Sequence, residues 1–116
     1  TCGLARGSWA RENPDSLTRY IRAYVEATRW CFDPKHRKDC LDLLMKHNGI
    51  KRSSAEDTLD ALLDPKNGLH TGAELNLAGI RAVLELRAEM GYLSPPVPAA
   101  EKYVDLSYYR RALGYD

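Results

Sequence analysis

Residues 14–34 read PDSLTRYIRAYVEATRWCFDP and carry the strongest periodic pattern in the chain. Apolar and small side chains recur there at steps of three and four residues, the spacing of one face of an α-helix of about five turns. Pro14 suits the first helical position, and the residue before Pro34 is pushed out of the α region, so both ends are bounded. The pattern predicts a long central helix from about Pro14 to Phe32. Its predicted face consists of Leu17, Tyr20, Ile21, Tyr24, Val25, Thr28, Cys31 and Phe32.

Capping signals divide the next part of the chain into three further helices. Asn48–Gly49 closes the first with residues that tolerate the left-handed conformation, and SSAE at residues 53–56 is typical of a capping box at the start of the second. Asn76 is the expected N-cap of the third, which ends at Gly91. The apolar stripes of these helices are Arg37, Cys40, Leu41, Leu44 and Met45; Ala55, Thr58, Leu59 and Leu62; and Ile80, Val83, Leu84, Arg87 and Met90. We expect Ile21, Tyr24 and Leu44 to be among the most buried residues.

The remaining segments are short. Residues 65–75 carry two glycines and a proline and indicate an irregular loop, and residues 95–98 (PPVP) indicate an extended crossing. One or two short helices are expected after Ala100, and one or two helical turns around Trp9. Only residues 1–5 could form a strand. The predicted fold class is all-α, with at most one short N-terminal strand, in a single helical domain over residues 1–116.

Composition excludes several classes of protein. Charged residues make up 28% of the chain and apolar ones 44%, which is ordinary for a globular domain. The 17 basic residues nearly balance the 16 acidic ones, so the net charge of +1 does not indicate a nucleic-acid-binding protein. No apolar run is long enough to span a bilayer.

Two arrangements of cysteine and histidine invite a chemical interpretation. His36, Cys40 and His47 share one predicted helix and could present three ligands to zinc, but Cys40 also fits the apolar stripe, and both histidines suit a helix end. We expect no metal site. Cys31 and Cys40 flank the Asp33–Pro34 corner, where a helical hairpin could bring them close; a disulfide and two separate core thiols both remain open.

No catalytic motif is present. The two glycine-rich phosphate-binding patterns, G-x-x-x-x-G-K-S/T and G-x-G-x-x-G, do not occur in the sequence. The acidic pairs Asp57/Asp60 and Glu85/Glu89 fit solvent-facing positions better than an acid–base site. The predicted site residues are therefore none for catalysis, cofactor or metal, and unknown for ligand. Seven tyrosines stand out. Tyr20 and Tyr24 are expected in the core, and the tail tyrosines either cover the core or stack on a ligand; these are Tyr103, Tyr108 and Tyr109.

Four short segments of the chain resemble one protein family. They are RGSWARENP at residues 6–14, TRWCFDP at 28–34, LDPKNGL at 63–69 and YVDLSY at 103–108. In this order and spacing they are similar to the carboxy-terminal part of the periplasmic substrate-binding proteins of ABC transporters. The group in question is the nitrate/sulfonate/taurine-like one, which includes relatives that bind thiamine-pyrimidine precursors. The three cysteines depart from that family's pattern, and the cysteine-rich motif of its pyrimidine-synthase relatives does not occur.

The resemblance implies a role in solute uptake. The chain would be the last third of a protein with two α/β lobes, adding helices to the outside of one lobe. The whole protein would bind a small solute between its lobes and present it to a membrane permease, outside the cytoplasm in the periplasm or on a lipid anchor. It implies no enzyme activity and no cofactor. No binding residue carries over to this chain.

A second class stays open, namely a free-standing helical domain that binds a protein partner. The corner around Trp30 and the tail tyrosines are compatible both with a solute-binding protein and with a domain that binds a protein partner. If the helices normally cover a sheet, their apolar faces are left uncovered in this chain, so we also expect it to form a homodimer.

Overall fold

A computed structural model describes residues 3–115, and these residues fold into helices joined by short turns, without any β-strand. The predicted all-α class is confirmed for this part of the chain. Gly3, Leu4 and Ala5 form no strand, while Thr1 and Cys2, the other members of the proposed strand, lie outside the described residues. The α-helices are α1 (Gly7–Glu12), α2 (Pro14–Phe32), α3 (Arg37–Asn48), α4 (Arg52–Leu62), α5 (Leu77–Glu89) and α6 (Ser107–Leu113), and 3₁₀ turns span Pro34–His36 and Ala100–Tyr103.

The chain divides into two compact units, with the division inside α2 after Thr18. The described part of the first unit is residues 3–18 and 75–115, which contain α1, the first turn of α2, α5 and α6. The second unit, Arg19–Glu74, contains the rest of α2 together with α3, α4 and the irregular loop that follows.

The core of the second unit lies between α3 and α4. Cys40 and Leu41 of α3 meet Ala55 and Leu59 of α4, and each of the four is less than 5% exposed. The partly buried side chains packed against this cluster are Trp30, Cys31, Leu44, Met45, Ile50 and Leu63. The predicted stripes of α3 and α4 are therefore largely confirmed, except that Arg37 and Thr58 are exposed and Leu62 is 37% exposed.

The buried face of α2 is narrower than predicted. Val25 is 2% and Thr28 is 6% exposed, and the Thr28 hydroxyl donates to the Tyr24 carbonyl at 2.8 Å. Tyr20 and Tyr24 are 64% and 46% exposed, so the prediction that they belong to the core is wrong. Tyr24 lies about 100° around the helix from Val25, at the margin of the apolar stripe, where a phenol keeps its hydroxyl in water.

Two other burial predictions also need correction. Ile21 and Leu44 are half-buried and not among the most buried residues. Leu44 lies at the edge of the α3–α4 cluster, whereas Leu41, one turn earlier on α3, is at its centre. Helical periodicity identifies the face but does not say which of its members the neighbouring helix covers.

The ends of the helices follow local chemistry in most places. Asn76 Oδ1 accepts from the Gly79 N–H at 2.9 Å, which confirms the predicted cap of α5. Gly49 and Gly91 have positive φ, as predicted where α3 and α5 end. The capping box at residues 53–56 is wrong: α4 begins at Arg52, and Glu56 instead accepts from Arg52 Nε at 3.0 Å.

The first unit buries small side chains. Among its described residues the buried ones are Ala10, Thr18, Ala100 and Ala112. Helix α5 packs against the 3₁₀ turn at Ala100–Tyr103, yet none of its own residues is fully buried. The larger apolar side chains of α5 are therefore covered only in part.

Candidate functional site

The corner between α2 and α3 carries an indole, a thiol and an imidazole within residues 30–36. Helix α2 ends at Phe32, and Asp33 Oδ1 then accepts from the Lys35 N–H at 3.0 Å, which starts the 3₁₀ turn. The turn brings His36 back over α2, so that its ring stacks on Trp30 with centroids 4.4 Å apart and planes 20° apart. Trp30 and its neighbour Cys31 both pack against the α3–α4 cluster.

Cys31 and Cys40 meet beneath this corner, as the hairpin interpretation allowed. Cys31 packs against the cluster that holds Cys40, and both are free thiols. Burial, a hydrogen bond with the Cys31 thiol and the charge of Asp39 raise the pKa of Cys40 to about 11, while Arg37 acts in the opposite direction. Cys40 is thus a protonated core thiol at neutral pH.

The proposed zinc ligands are not brought together as a site. His36 stacks on Trp30, and its Nδ1 lies 3.8 Å from Asp39 Oδ2. Cys40 faces the core, and His47 is exposed in the last turn of α3. Across residues 3–115, no three histidine, cysteine or acidic side chains are grouped so that they could hold a metal ion.

The acidic pairs lie on exposed surfaces. Asp57 and Asp60 are both exposed, and Asp60 Oδ1 accepts from Arg37 Nη2 at 2.8 Å, an ion pair between α4 and α3. Glu85 and Glu89 are exposed on α5. Both pairs therefore lie at solvent-facing positions, as the sequence indicated.

The tail tyrosines differ in their surroundings. Tyr108 and Tyr109 are half-buried, which fits the prediction that they cover a core, whereas Tyr103 is 53% exposed. Lys102 Nζ lies 5.8 Å from the centre of the Tyr103 ring, within the range of a cation–π contact. The ligand-stacking alternative stays a hypothesis.

Helix α5 carries an exposed apolar face that only partly matches the predicted stripe: Ile80 and Leu84 of that stripe are half-buried, and its other members are exposed. Val83, Leu86 and Met90 are between 53% and 59% exposed, and their spacing places them on one side of the helix. Tyr92, just beyond the helix, is also exposed and lies under Arg87, whose guanidinium carbon is 5.8 Å from the ring centre. We call Val83, Leu86 and Met90 the α5 face.

The sequence did not reveal the stack of Trp30 on His36. The two residues are six apart, a spacing that a continuous helix would not bring face to face, but the Asp33–Pro34 break turns the chain back. A helix-ending Asp-Pro pair flanked closely by an aromatic residue and a histidine is the signal that could have predicted it.

Comparisons with family models, curated proteins and solved structures found no match to this chain. No helix within residues 3–115 has the length and apolar character to cross a bilayer. The geometry of the corner and of the α5 face is therefore what bears on function.

Proposed function

We propose that this chain is the carboxy-terminal helical region of the solute-binding component of an ABC importer for a small solute of the nitrate, sulfonate or taurine class. In this proposal its helices cover the outside of one lobe of a larger, two-lobed protein. The whole protein works outside the cytoplasm and delivers its solute to a membrane permease. The region itself supplies structure and performs no catalysis.

The observation that carries the proposal is the exposure of the α5 face. Val83, Leu86 and Met90 present three large apolar side chains to solvent on one side of a single helix. Transfer of apolar surface out of water is worth about 25 cal/mol per Å², so such a face is stabilised by a covering surface. A sheet in another part of the same polypeptide would provide that surface.

The resemblance of residues 6–14, 28–34, 63–69 and 103–108 to solute-binding proteins supports the same proposal independently.

The α5 face can be tested by a charge substitution read out in two polypeptides. At a concentration low enough to keep the isolated 116 residues monomeric, Val83→Asp should leave their unfolding midpoint nearly unchanged, because Val83 is 57% exposed there. In a polypeptide extended by its upstream coding sequence the same substitution should lower the midpoint by several degrees. The matched control is Glu85→Lys, about 160° around the helix from Val83, which should be neutral in both. Equal, small effects of Val83→Asp in both polypeptides would contradict the proposal.

Solute binding is tested by titration calorimetry with nitrate, taurine, alkanesulfonates and pyrimidine precursors. We expect one of these to bind the extended polypeptide and none to bind the isolated 116 residues. Micromolar binding by the isolated chain would place the site in residues 1–116 and overturn this part of the proposal.

The second candidate function is that of a helical domain which binds a protein partner. The same α5 face favours it, since an exposed apolar face can be covered by another molecule as well as by the same chain. The two candidates are distinguished by the upstream coding sequence: alternating strands and helices favour the importer component, and a start codon directly before Thr1 favours the interaction domain.

A further inference from the structure

Cys31 and Cys40 form a pair of thiols in contact across a helical corner. Cys31 lies in the last turn of α2 and Cys40 in the first turns of α3, with the 3₁₀ turn between them. Cys31 packs against the buried cluster formed by Cys40, Leu41, Ala55 and Leu59, and a hydrogen bond links its thiol to that of Cys40. Both elements are therefore held in place by packing that does not depend on a bond between the sulfurs.

The two thiols differ in access to solvent. Cys40 is 4% exposed, whereas Cys31 is half-buried and can be reached by a small reagent. The pKa of Cys40 is raised, chiefly by burial, so that thiol is a poor first nucleophile. An exchange reaction at this pair would begin at Cys31 and be completed by Cys40.

We propose that Cys31 and Cys40 are a redox-active pair that closes to an intramolecular disulfide when the folded chain meets a low-molecular-weight disulfide such as oxidised glutathione. The proposal rests on the contact between the two side chains and on the corner that holds them, and it is independent of the proposed function.

The reaction proceeds by two thiol–disulfide exchanges. The Cys31 thiolate attacks one sulfur of the small disulfide, which breaks its S–S bond, forms a mixed disulfide at Cys31 and releases one small thiol. The Cys40 thiolate then attacks the Cys31 sulfur and releases the second small thiol. Two protein thiols are oxidised, one small disulfide is reduced to two thiols, and the two protons from the protein go to the released thiolates.

The disulfide would link α2 covalently to α3 across the corner that carries Trp30 and His36. The bond shortens the contact between the sulfurs to about 2.05 Å. The disulfide closes a loop of ten residues, and a loop of that size is expected to raise the unfolding midpoint by roughly 5–15 °C. The oxidised corner should therefore resist unfolding more than the reduced one.

In the experiment, the reduced, folded chain is incubated with excess oxidised glutathione, and the exchange is then quenched with acid. The remaining thiols are alkylated under denaturing conditions. The protein is digested with trypsin, and the peptides are identified by mass spectrometry. Trypsin cuts between the two cysteines, so a bridge appears as peptide 30–35 linked to peptide 39–46. A Cys2→Ser background removes the third cysteine from the exchange. The Cys31→Ser variant is the matched control, and its Cys40 should remain an unmodified thiol because it is buried.

The proposal predicts the linked peptides in the Cys2→Ser protein together with a higher unfolding midpoint after oxidation. It is overturned if Cys31 and Cys40 are each recovered alkylated, or if Cys31 stops at a stable glutathione adduct. It is equally overturned if the link forms only after the chain has been denatured. Circular dichroism of the reduced protein before oxidation establishes that the starting material is folded, so these outcomes do not depend on a variant that fails to fold.

Discussion

Arg111 Nη2 lies 2.6 Å from Asp15 Oδ1, so an ion pair joins α6 to the first turn of α2 across 96 positions of sequence. Both residues belong to the first unit, which gathers its helices from the two ends of the chain. Helix α6 is thereby connected to the start of the helix that decides the fold.

This ion pair should contribute little to stability. The Arg111 and Asp15 side chains are 52% and 68% exposed, and exposed pairs are typically worth less than about 1 kcal/mol. A double-mutant cycle of Arg111→Ala and Asp15→Ala, measured by urea unfolding, should give a coupling energy below that value. A coupling above about 2 kcal/mol would mean that solvent screens this pair far less than its exposure implies.

Leu59 should be the more costly position in the core of the second unit. It is 3% exposed and fully inside the α3–α4 cluster, so Leu59→Ala should reduce the free energy of unfolding by about 2–5 kcal/mol. Leu44→Ala, at the half-buried edge of the cluster, should cost less than Leu59→Ala, at or below the lower end of that range. Leu43→Ala, at a position 47% exposed on the same helix, is the control and should change little. A cost for Leu43→Ala equal to that for Leu59→Ala would show that the assigned core is wrong.

Local signals explain which parts of the fold were predictable from sequence. Asn76 and Gly91 bound α5 because a side-chain cap and a left-handed C-terminus depend only on neighbouring residues. The Asp33–Pro34 corner ends α2 for a similarly local reason. At residues 53–56 two local options competed, and the salt bridge of Glu56 with Arg52 replaced the predicted capping box.

Burial was less predictable because it depends on which element covers each face. Periodicity placed Tyr20 and Tyr24 of α2 and Val83 of α5 on apolar faces, yet all three are exposed. The pair of Arg111 with Asp15 could not be predicted from spacing, since it joins distant parts of the chain. For the corner, sequence placed Cys31 and Cys40 beside the Asp-Pro turn, but it could not show that their side chains meet.

Acid should remove part of the stability at the start of α6. Asp105 Oδ1 accepts from the Ser107 hydroxyl at 2.6 Å and from the Ser107 N–H at 2.9 Å, and these two bonds lower the pKa of Asp105 below 3.8. Because the folded state favours the ionised form, the contribution is present above pH 3.8 and is lost as the pH falls through the folded-state pKa.

The comparison that isolates this effect is between the native chain and Asp105→Asn. The native chain should be the more stable at neutral pH, by less than about 1 kcal/mol at so exposed a site, and the difference should shrink as the pH falls below 3.8. Urea unfolding at a series of pH values measures it. A difference that grows on acidification has the wrong sign for this account.

The isolated chain should associate through its uncovered apolar faces. Helix α5 exposes Val83, Leu86 and Met90, and two copies can cover each other across a twofold axis. Light scattering at micromolar concentration should give a mass near twice 13.1 kDa, and Val83→Asp should return it toward the monomer. A mass that stays at 13.1 kDa over a range of concentrations rules out the dimer.

The central claim, that this chain is the helical end of a larger solute-binding protein, is tested most directly by an immunoblot of fractionated cells that carry the gene. An antibody raised against the 116 residues should detect a single polypeptide in the extracytoplasmic fraction. Its mass should be far above 13.1 kDa, since a two-lobed protein adds roughly 200 residues to this region. A polypeptide of 13.1 kDa confined to the cytoplasm would contradict the claim.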